Sequence, residues 1–522
     1  MRIPSVTLLA STVLSATASA RFLIYADQYH PTRPTSPEDR AGIDHVVLAF
    51  AVSNDTTSYQ PKVPISTIRS EFPNAKVMIA VGGWGDDAGF FQISQTDASI
   101  QQFAKDVAAM LTRTGADGVD IDWEYPAGNG QDYKQVPNSE KVYQIDAFPK
   151  VLAATRLAIG DKLLSIAAPG KKGDMIAYTP ENGPKIWKSV DYINVMSYDL
   201  MNRRDDVTKH HTSVAGSEEA IQNYLAIGAP PEKINLGFAY YAKYFTTQGD
   251  CGSSPLGCPI VLAEDPVTGK DLLTSGAWTF EKVNMVPADT SNLTVSTDGT
   301  CGAEAGKKCA NACCSQYNSC GTTAEFCNGS CQHAFGIGCT DADVAGSWQS
   351  ALKNGVTDEQ AGGKYYFDAE NRLFWTWDTT ELISRKFEAI VKKYKLGGVM
   401  AWSLGEDTYD WSHIRTMGAE VAKLDGNTTP FTTRYPVEPA PIYGSPKDLA
   451  GSPAKGLKSP LKGLKSPLNN LVVPVPRLNN LLPRSDAGEQ SKRQLLARET
   501  GIIAARAPAP GAPNSLPTPA AL

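Results

Sequence analysis

Beyond its first 20 residues the chain has no apolar run long enough to cross a bilayer, which argues against an integral membrane segment. Its C-terminal end is too polar and too rich in proline for a lipid-anchor signal. No cysteine lies outside Cys251–Cys339, and none stands in a CxxC pair with a histidine at ligand spacing, so zinc fits them poorly and no metal is expected. Excess basic charge is also missing. Net charge is −6, and residues 441–522 alone hold eleven Lys/Arg against four Asp/Glu, so the rest is more acidic than the total. Nucleic acid is thus a poor partner for the folded part.

Residues 1–20 carry Arg2, the apolar run VTLLASTVL and Ala18-Ser19-Ala20, the pattern of a cleaved export signal. An exported protein is expected, extracellular or associated with a cell wall. Sequons at Asn54, Asn292, Asn328 and Asn427 fit that route. The mature chain is long enough for a large core. Residues 431–522 are the exception: rich in Pro, Ala and Lys, with the near-repeat KGLKSPLKGLKSPL, they cannot bury enough apolar surface to fold alone and are read as a disordered tail. Within it Lys492-Arg493 is a dibasic pair open to processing.

From residue 21 onward, short apolar runs alternate with helix-like stretches, as repeated βα units and a parallel sheet require. RFLIYAD, HVVLAFAV, KVMIAVGG, DGVDIDWE, KLLSIAAPG, YINVMSYDL and INLGFAYY are seven candidate strands, and GGVMAWSL is an eighth after a gap of about 150 residues. Eight such units predict an α/β fold, a (β/α)8 TIM barrel with its site at the carboxyl ends of the strands.

The fourth run, Asp117 to Pro126, concentrates the chemistry. Val119, Ile121 and Trp123 alternate with Asp120, Asp122 and Glu124, so an extended segment puts three carboxylates on one face, spaced by roughly 6–7 Å. They cannot all ionise cheaply. One should hold a proton near neutral pH, as a general acid must. Asp117 has the opposite parity and is expected to support the strand.

This DxxDxDxE motif closely resembles the signature of family 18 glycoside hydrolases, the chitinases of bacterial and fungal type. Other strand ends resemble the family in the same order. AVGGWG matches the third-strand SxGG motif, with Trp84 placed to line a subsite, but Ala80 stands where the family has serine. In the family that serine bonds the middle aspartate, so a relay through Asp120 is expected to have one partner fewer. MSYD matches the sixth-strand motif, which implies substrate contacts for Met196, Tyr198 and Asp199. Trp402 corresponds to the tryptophan flooring the subsite of the cleaved sugar, Tyr25 is a looser match on the first strand, and Tyr125 follows the acid directly. On the seventh strand Tyr241-Ala242-Lys243 replaces Tyr-Gly-Arg, and Lys243 cannot make a planar bidentate contact.

Residues 21–430 are read as the catalytic barrel, with an α+β insertion at 245–378 between strands seven and eight that resembles a groove wall of some family members. Trp375, Trp377 and Tyr366 either pave that wall or form its core. Inside lies a module, residues 300–340. Eight of the ten cysteines fall within 39 residues from Cys301, which in an exported chain reads as a disulfide framework. The string resembles a hevein-like chitin-binding module. That resemblance implies the pairs Cys301–Cys314, Cys309–Cys320, Cys313–Cys327 and Cys331–Cys339, leaving Cys251 with Cys258, and a binding face of Ser315, Tyr317 and Phe326. Ser319 stands where a further aromatic belongs, so a mainly structural module is the alternative.

The family resemblance implies substrate-assisted, retaining hydrolysis of chitin and N-acetylglucosamine oligomers by a cofactor-free monomer. Glu124 would be the acid, Asp122 the partner of the acetamido group, Asp120 the residue that raises the proton affinity of Asp122, and Tyr198 the ligand of the acetamido oxygen. An endo-β-N-acetylglucosaminidase acting on N-glycans and a non-catalytic chitin lectin are the rival readings.

Overall fold

A computed structural model describes residues 20–303, 305–328 and 331–424. Residues 1–19 of the expected export signal and the whole of the expected tail, 431–522, lie outside these residues. The eight parallel strands are β1 (Arg21–Asp27), β2 (His45–Ala51), β3 (Lys76–Gly82), β4 (Gly118–Asp122), β5 (Leu163–Pro169), β6 (Tyr192–Met196), β7 (Ile234–Ala239) and, far later, Gly398–Trp402. They form a closed barrel. The last strand lies between β7 and β1, with Arg21 opposite Gly398 and Ile24 opposite Ala401.

Alternation along each strand divides two cores. Val119 and Ile121 on β4, and Trp123 just past its end, face outward, fully or almost fully buried beneath the helices, each stabilising the fold by roughly 1.5–3 kcal/mol. Asp120 and Asp122 face the lumen. The helix Asp97–Thr114 leads into β4: Thr96 and Ser99 cap its start reciprocally, and Gly115, at φ 74°, ends it. Asp117 then fastens β4 to β3, accepting from Val77 N at 2.8 Å and pairing with Arg69 at 3.0 Å, which is the supporting role its parity suggested.

After β7 the chain leaves the barrel for a five-stranded antiparallel sheet. Its strands are β8 (Tyr241–Thr246), β9 (Ser275–Thr279), β10 (Val356–Asp358), β11 (Gly363–Asp368) and β12 (Leu373–Trp377), in the order β10-β11-β12-β8-β9, before the closing strand β13 (Gly398–Trp402). The helix Val344–Asn354 covers this sheet. Its Trp348 meets Trp375 at 4.9 Å and Trp377 at 5.2 Å, and all three are at most 4 % exposed. Trp375 and Trp377 are therefore core of the insertion, and Tyr366 packs against the same cluster.

Between β9 and that helix sits the cysteine-dense stretch. The disulfides are Cys251–Cys258, Cys301–Cys314, Cys309–Cys320, Cys313–Cys327 and Cys331–Cys339. A short antiparallel pair, Cys313–Cys314 with Cys320–Gly321, joins two of its turns. Among the described residues no helix is long and apolar enough to cross a membrane.

Candidate active site

The lumen beneath the cleft is lined by a second apolar cluster that includes Leu23, Val47, Met78, Ala80 and Met400. Asp120 lies in this dry setting, fully buried, and three donors converge on it: Tyr25 Oη at 2.9 Å, Ser165 Oγ at 2.5 Å and Asn194 Nδ2 at 3.1 Å. Asn194 in turn accepts from Asn235 Nδ2 at 2.8 Å, and Asn235 accepts from Arg21 Nε at 3.1 Å. Burial pushes the Asp120 carboxyl up to about 6, against the pull of its three donors.

The expectation that Asp120 has one partner fewer is corrected here. Ala80 brings no hydroxyl from β3, but Ser165 brings one from β5. The register makes the exchange possible, since Ala80 and Ser165 are both opposite Asp120, on its two neighbouring strands.

Asp122 is next toward the mouth, 3 % exposed, with its Oδ1 buried and unpartnered within the protein. Burial first, then the nearby Glu124 and Asp120 carboxyls, raise it well above the ordinary range. Gly82 and Gly83 let β3 approach: Gly83 N donates to Asp122 O at 2.8 Å, and a Cβ on Gly82, at φ 115°, would lie 2.1 Å from that oxygen. Glu124 follows just beyond the strand end. Removal from water pushes it up to about 8, opposed by a Tyr125 hydrogen bond and reinforced by Asp199. At neutral pH it is mostly the acid form.

One cleft gathers most of the predicted residues. Tyr25, Trp84, Asp122, Glu124, Tyr125, Met196, Tyr198, Asp199 and Trp402 all line it, while Asp120 lies beneath. Trp402 forms an aromatic floor, with Phe50 stacked at 5.4 Å and Tyr25 tilted at 5.7 Å. Asp199 accepts from Tyr241 Oη at 2.9 Å and Lys243 Nζ at 3.0 Å. Desolvation lifts its pKa, but the Lys243 charge and hydrogen bonds outweigh that and hold it well below the usual carboxylate range. Lys243 thus makes one contact with a single carboxylate oxygen.

A strap that sequence reading missed borders the cleft. Arg204, after β6, donates to Asn129 O at 2.7 Å and Gly130 O at 2.9 Å in the loop after β4, and its guanidinium lies 4.0 Å from the Tyr133 ring and 5.3 Å from Trp84. Tyr133 Oη donates to Glu264 of the insertion, which also takes Arg203 Nε at 2.9 Å. Three chain segments are joined beside Trp84. Phe50 and Ser165 were also missed: parity turns Ser165 inward, whereas Phe50 shares the outward parity of Val46 and Leu48 and reaches the cleft only through the irregular β2–β3 register between Leu48 and Ala51.

Asp27, His30 and Glu406 offer three ligand atoms within 4.8 Å of one another, but His30 Nδ1 already bridges Asp27 at 3.1 Å and Glu406 at 3.3 Å. The predicted residues of the cysteine-rich module lie away from the cleft lining. Ser315 is buried, its Oγ accepting from the backbone N–H groups of Tyr317 and Ser319 at 3.3 Å each. Phe326 lies against Gly321, and Tyr317 is 52 % exposed.

Residues 21–407 match the model of the family described as glycosyl hydrolases family 18. Endochitinase 1 of Metarhizium robertsii is 30% identical over 192 residues, 34% of this chain and 43% of the relative. Chitotriosidase-1 of Mus musculus is 29% identical over 221 residues, 40% of this chain and 46% of the relative. The chain thus spans about half the length of the curated relatives it matches. Among solved structures, the Ostrinia furnacalis Group II chitinase catalytic domain 2 aligns over 77% of this chain and 97% of its own, at TM-score 0.53 and 18% identity. A Rhizomucor miehei chitinase aligns over 77% and 99%, also at 0.53 and 18%. These two show a shared fold.

Proposed function

Because the chain belongs to glycosyl hydrolase family 18, we propose that it cleaves β-1,4 links between N-acetylglucosamine units of chitin, with the substrate's own acetamido group as nucleophile. Most glycosidases use two carboxylates across the scissile bond, and family 18 is an exception. Glu124 gives its proton to the glycosidic oxygen as the bond from that oxygen to the anomeric carbon breaks. The acetamido carbonyl oxygen closes on the anomeric carbon. Asp122 takes the acetamido N–H and offsets the cyclic cation's charge, while Tyr198 donates to the acetamido oxygen. Water then attacks the same carbon, Glu124 recovers a proton, and two inversions retain the β configuration.

The observation that carries this reading is the sequence of carboxyls along one strand: Asp120 buried among donors, Asp122 unpartnered at Oδ1, and Glu124 in the cleft with its proton held up to about 8. An unpartnered buried carboxyl oxygen beside an acid is suited to an amide N–H. Ten cysteines, all paired, support export to an oxidising compartment. The cysteine-rich module is read as a chitin-binding appendage.

The test is release of fluorophore from a chitotriose glycoside beside release of glycan from a high-mannose glycoprotein. Hydrolysis of the first alone is expected. Glu124→Gln should lower that turnover at least about 10²-fold, the scale of general acid catalysis, because an amide has no acidic proton to give. Glycan release alone, no hydrolysis of either substrate, or full turnover by the folded variant would overturn the reading.

A further inference from the structure

We propose that Glu406 is a further substrate-binding residue of the cleft, its free carboxyl oxygen holding a ring hydroxyl of the sugar that rests on Trp402 or of the next one away from the cleaved bond. This rests on the hydrolytic reading above. A pyranose ring lying flat on an indole turns its hydroxyls sideways, so the wall groups beside the floor decide what those hydroxyls meet. Glu406 follows Trp402 closely in the chain and lines the same cleft, with Tyr25, Tyr29 and Tyr241. Its backbone is clamped. Glu406 N donates to Ser403 O at 3.1 Å, and Phe280 N of the insertion donates to Glu406 O at 2.9 Å. A Cβ on Gly405 would lie 1.9 Å from His30 O, so the loop after β13 presses directly on the loop after β1.

The Glu406 side chain is 3 % exposed and yet almost unpaired: Oε1 faces His30 Nδ1 at 3.3 Å, and Oε2 is buried with no partner within the protein. His30 cannot serve it fully. The same Nδ1 lies 3.1 Å from each oxygen of Asp27, whose charge has the stronger claim on its proton. Asp27 is filled besides, by Tyr29 N at 2.7 Å, His30 N at 2.9 Å and Ser403 Oγ at 2.5 Å. A purely structural carboxyl in this place would have both oxygens taken, as those of Asp27 are. Burial pushes the Glu406 carboxyl up to about 8, opposed by the His30 charge and reinforced by Asp27, Glu281 and Asp199. At neutral pH it therefore offers a proton and an acceptor on one carboxyl. A sugar hydroxyl, itself donor and acceptor, is the complement.

The test uses the full chain and a soluble chitotriose glycoside, with wild-type hydrolysis measured first; an inactive wild type would overturn the hydrolytic reading itself. Glu406→Leu should raise KM at least about tenfold while kcat falls less than about threefold, the mark of a contact made equally in the ground and transition states. Glu406→Gln keeps an acceptor and a donor in the same shape, and should hold KM within about threefold of wild type. His30→Gln removes the neighbouring charge but leaves Oε2 in place, so it should lower Tm and still keep KM within about threefold. An unmoved KM in folded Glu406→Leu would overturn the proposal. So would a KM that Glu406→Gln fails to restore, or an equal rise in His30→Gln, which would make Glu406 no more than the partner of His30. If Glu406→Leu does not fold, Glu406→Asp takes its place: the carboxyl withdrawn by one methylene should show the same split between KM and kcat, and an unchanged KM there would overturn the proposal.

Discussion

Glu124 reaches its protonated state through a balance that pH can tip. Desolvation raises its pKa to about 8, so the proton is present below that value and is lost as pH rises through it. The alkaline limb of kcat/KM for the soluble glycoside should therefore fall near pH 8 and should flatten in the residual activity of Glu124→Gln. The stability sign follows from the same shift. Between the unfolded value near 4.5 and about 8 the folded chain holds a proton that the unfolded chain releases, so Glu124 costs more stability as pH rises. Glu124→Gln removes that cost, and its Tm at pH 7.5 should be no lower than wild type. At this scale the carboxyls were legible, because period-two alternation around Asp120, Asp122 and Glu124 needs no tertiary knowledge. Ser165 was not. Parity turns it inward along with Leu163 and Ala167, but only the register between β4 and β5 decides which of them meets Asp120.

Among elements, the strap through Arg204 ties the loop after β4 to β6 and to the insertion. Its guanidinium satisfies two backbone carbonyls and lies over two rings, contacts a neutral side chain cannot replace. Arg204→Ala should lower stability by about 1–3 kcal/mol, the cost of leaving such carbonyls unpaired, and raise KM more than it lowers kcat, since Trp84 loses a neighbour while the carboxyls keep theirs. Melting curves and steady-state kinetics check the two halves; unchanged Tm and KM would show the strap to be idle. The eight barrel strands were readable from their apolar runs, and so was the interruption before the last. The roles of Trp375 and Trp377 were not, because a strand offers two faces and nothing local says that the helix Val344–Asn354 covers the one they occupy.

For the molecule as a whole, none of the three predicted binding residues of the cysteine-rich module lines the cleft. Tyr317 is the one predicted binding residue of the three that is widely exposed; Ser315 is spent on the turn, and Phe326 closes over Gly321. Tyr317→Ala should weaken retention on chitin powder, and Ser319→Tyr should strengthen it, each stacked ring being worth about 1–2 kcal/mol, with hydrolysis of the soluble trimer unchanged. A chain that is retained equally in both variants would leave the module a stapled spacer.

The pairing of Arg21 with Gly398 also governs how the chain comes into being. Synthesis runs at about 5–20 residues per second, so the free edge of β1 waits roughly 20 to 80 s for its neighbour to be made. Throughout that interval β1 and, later, β7 present unpaired backbone, the kind of edge on which nascent chains stick to one another. The disulfides of the insertion span only 7 to 14 residues each, so that region can set before the barrel closes. The insertion thus delays the ring's last stave, and the half-made barrel must be sheltered until it arrives.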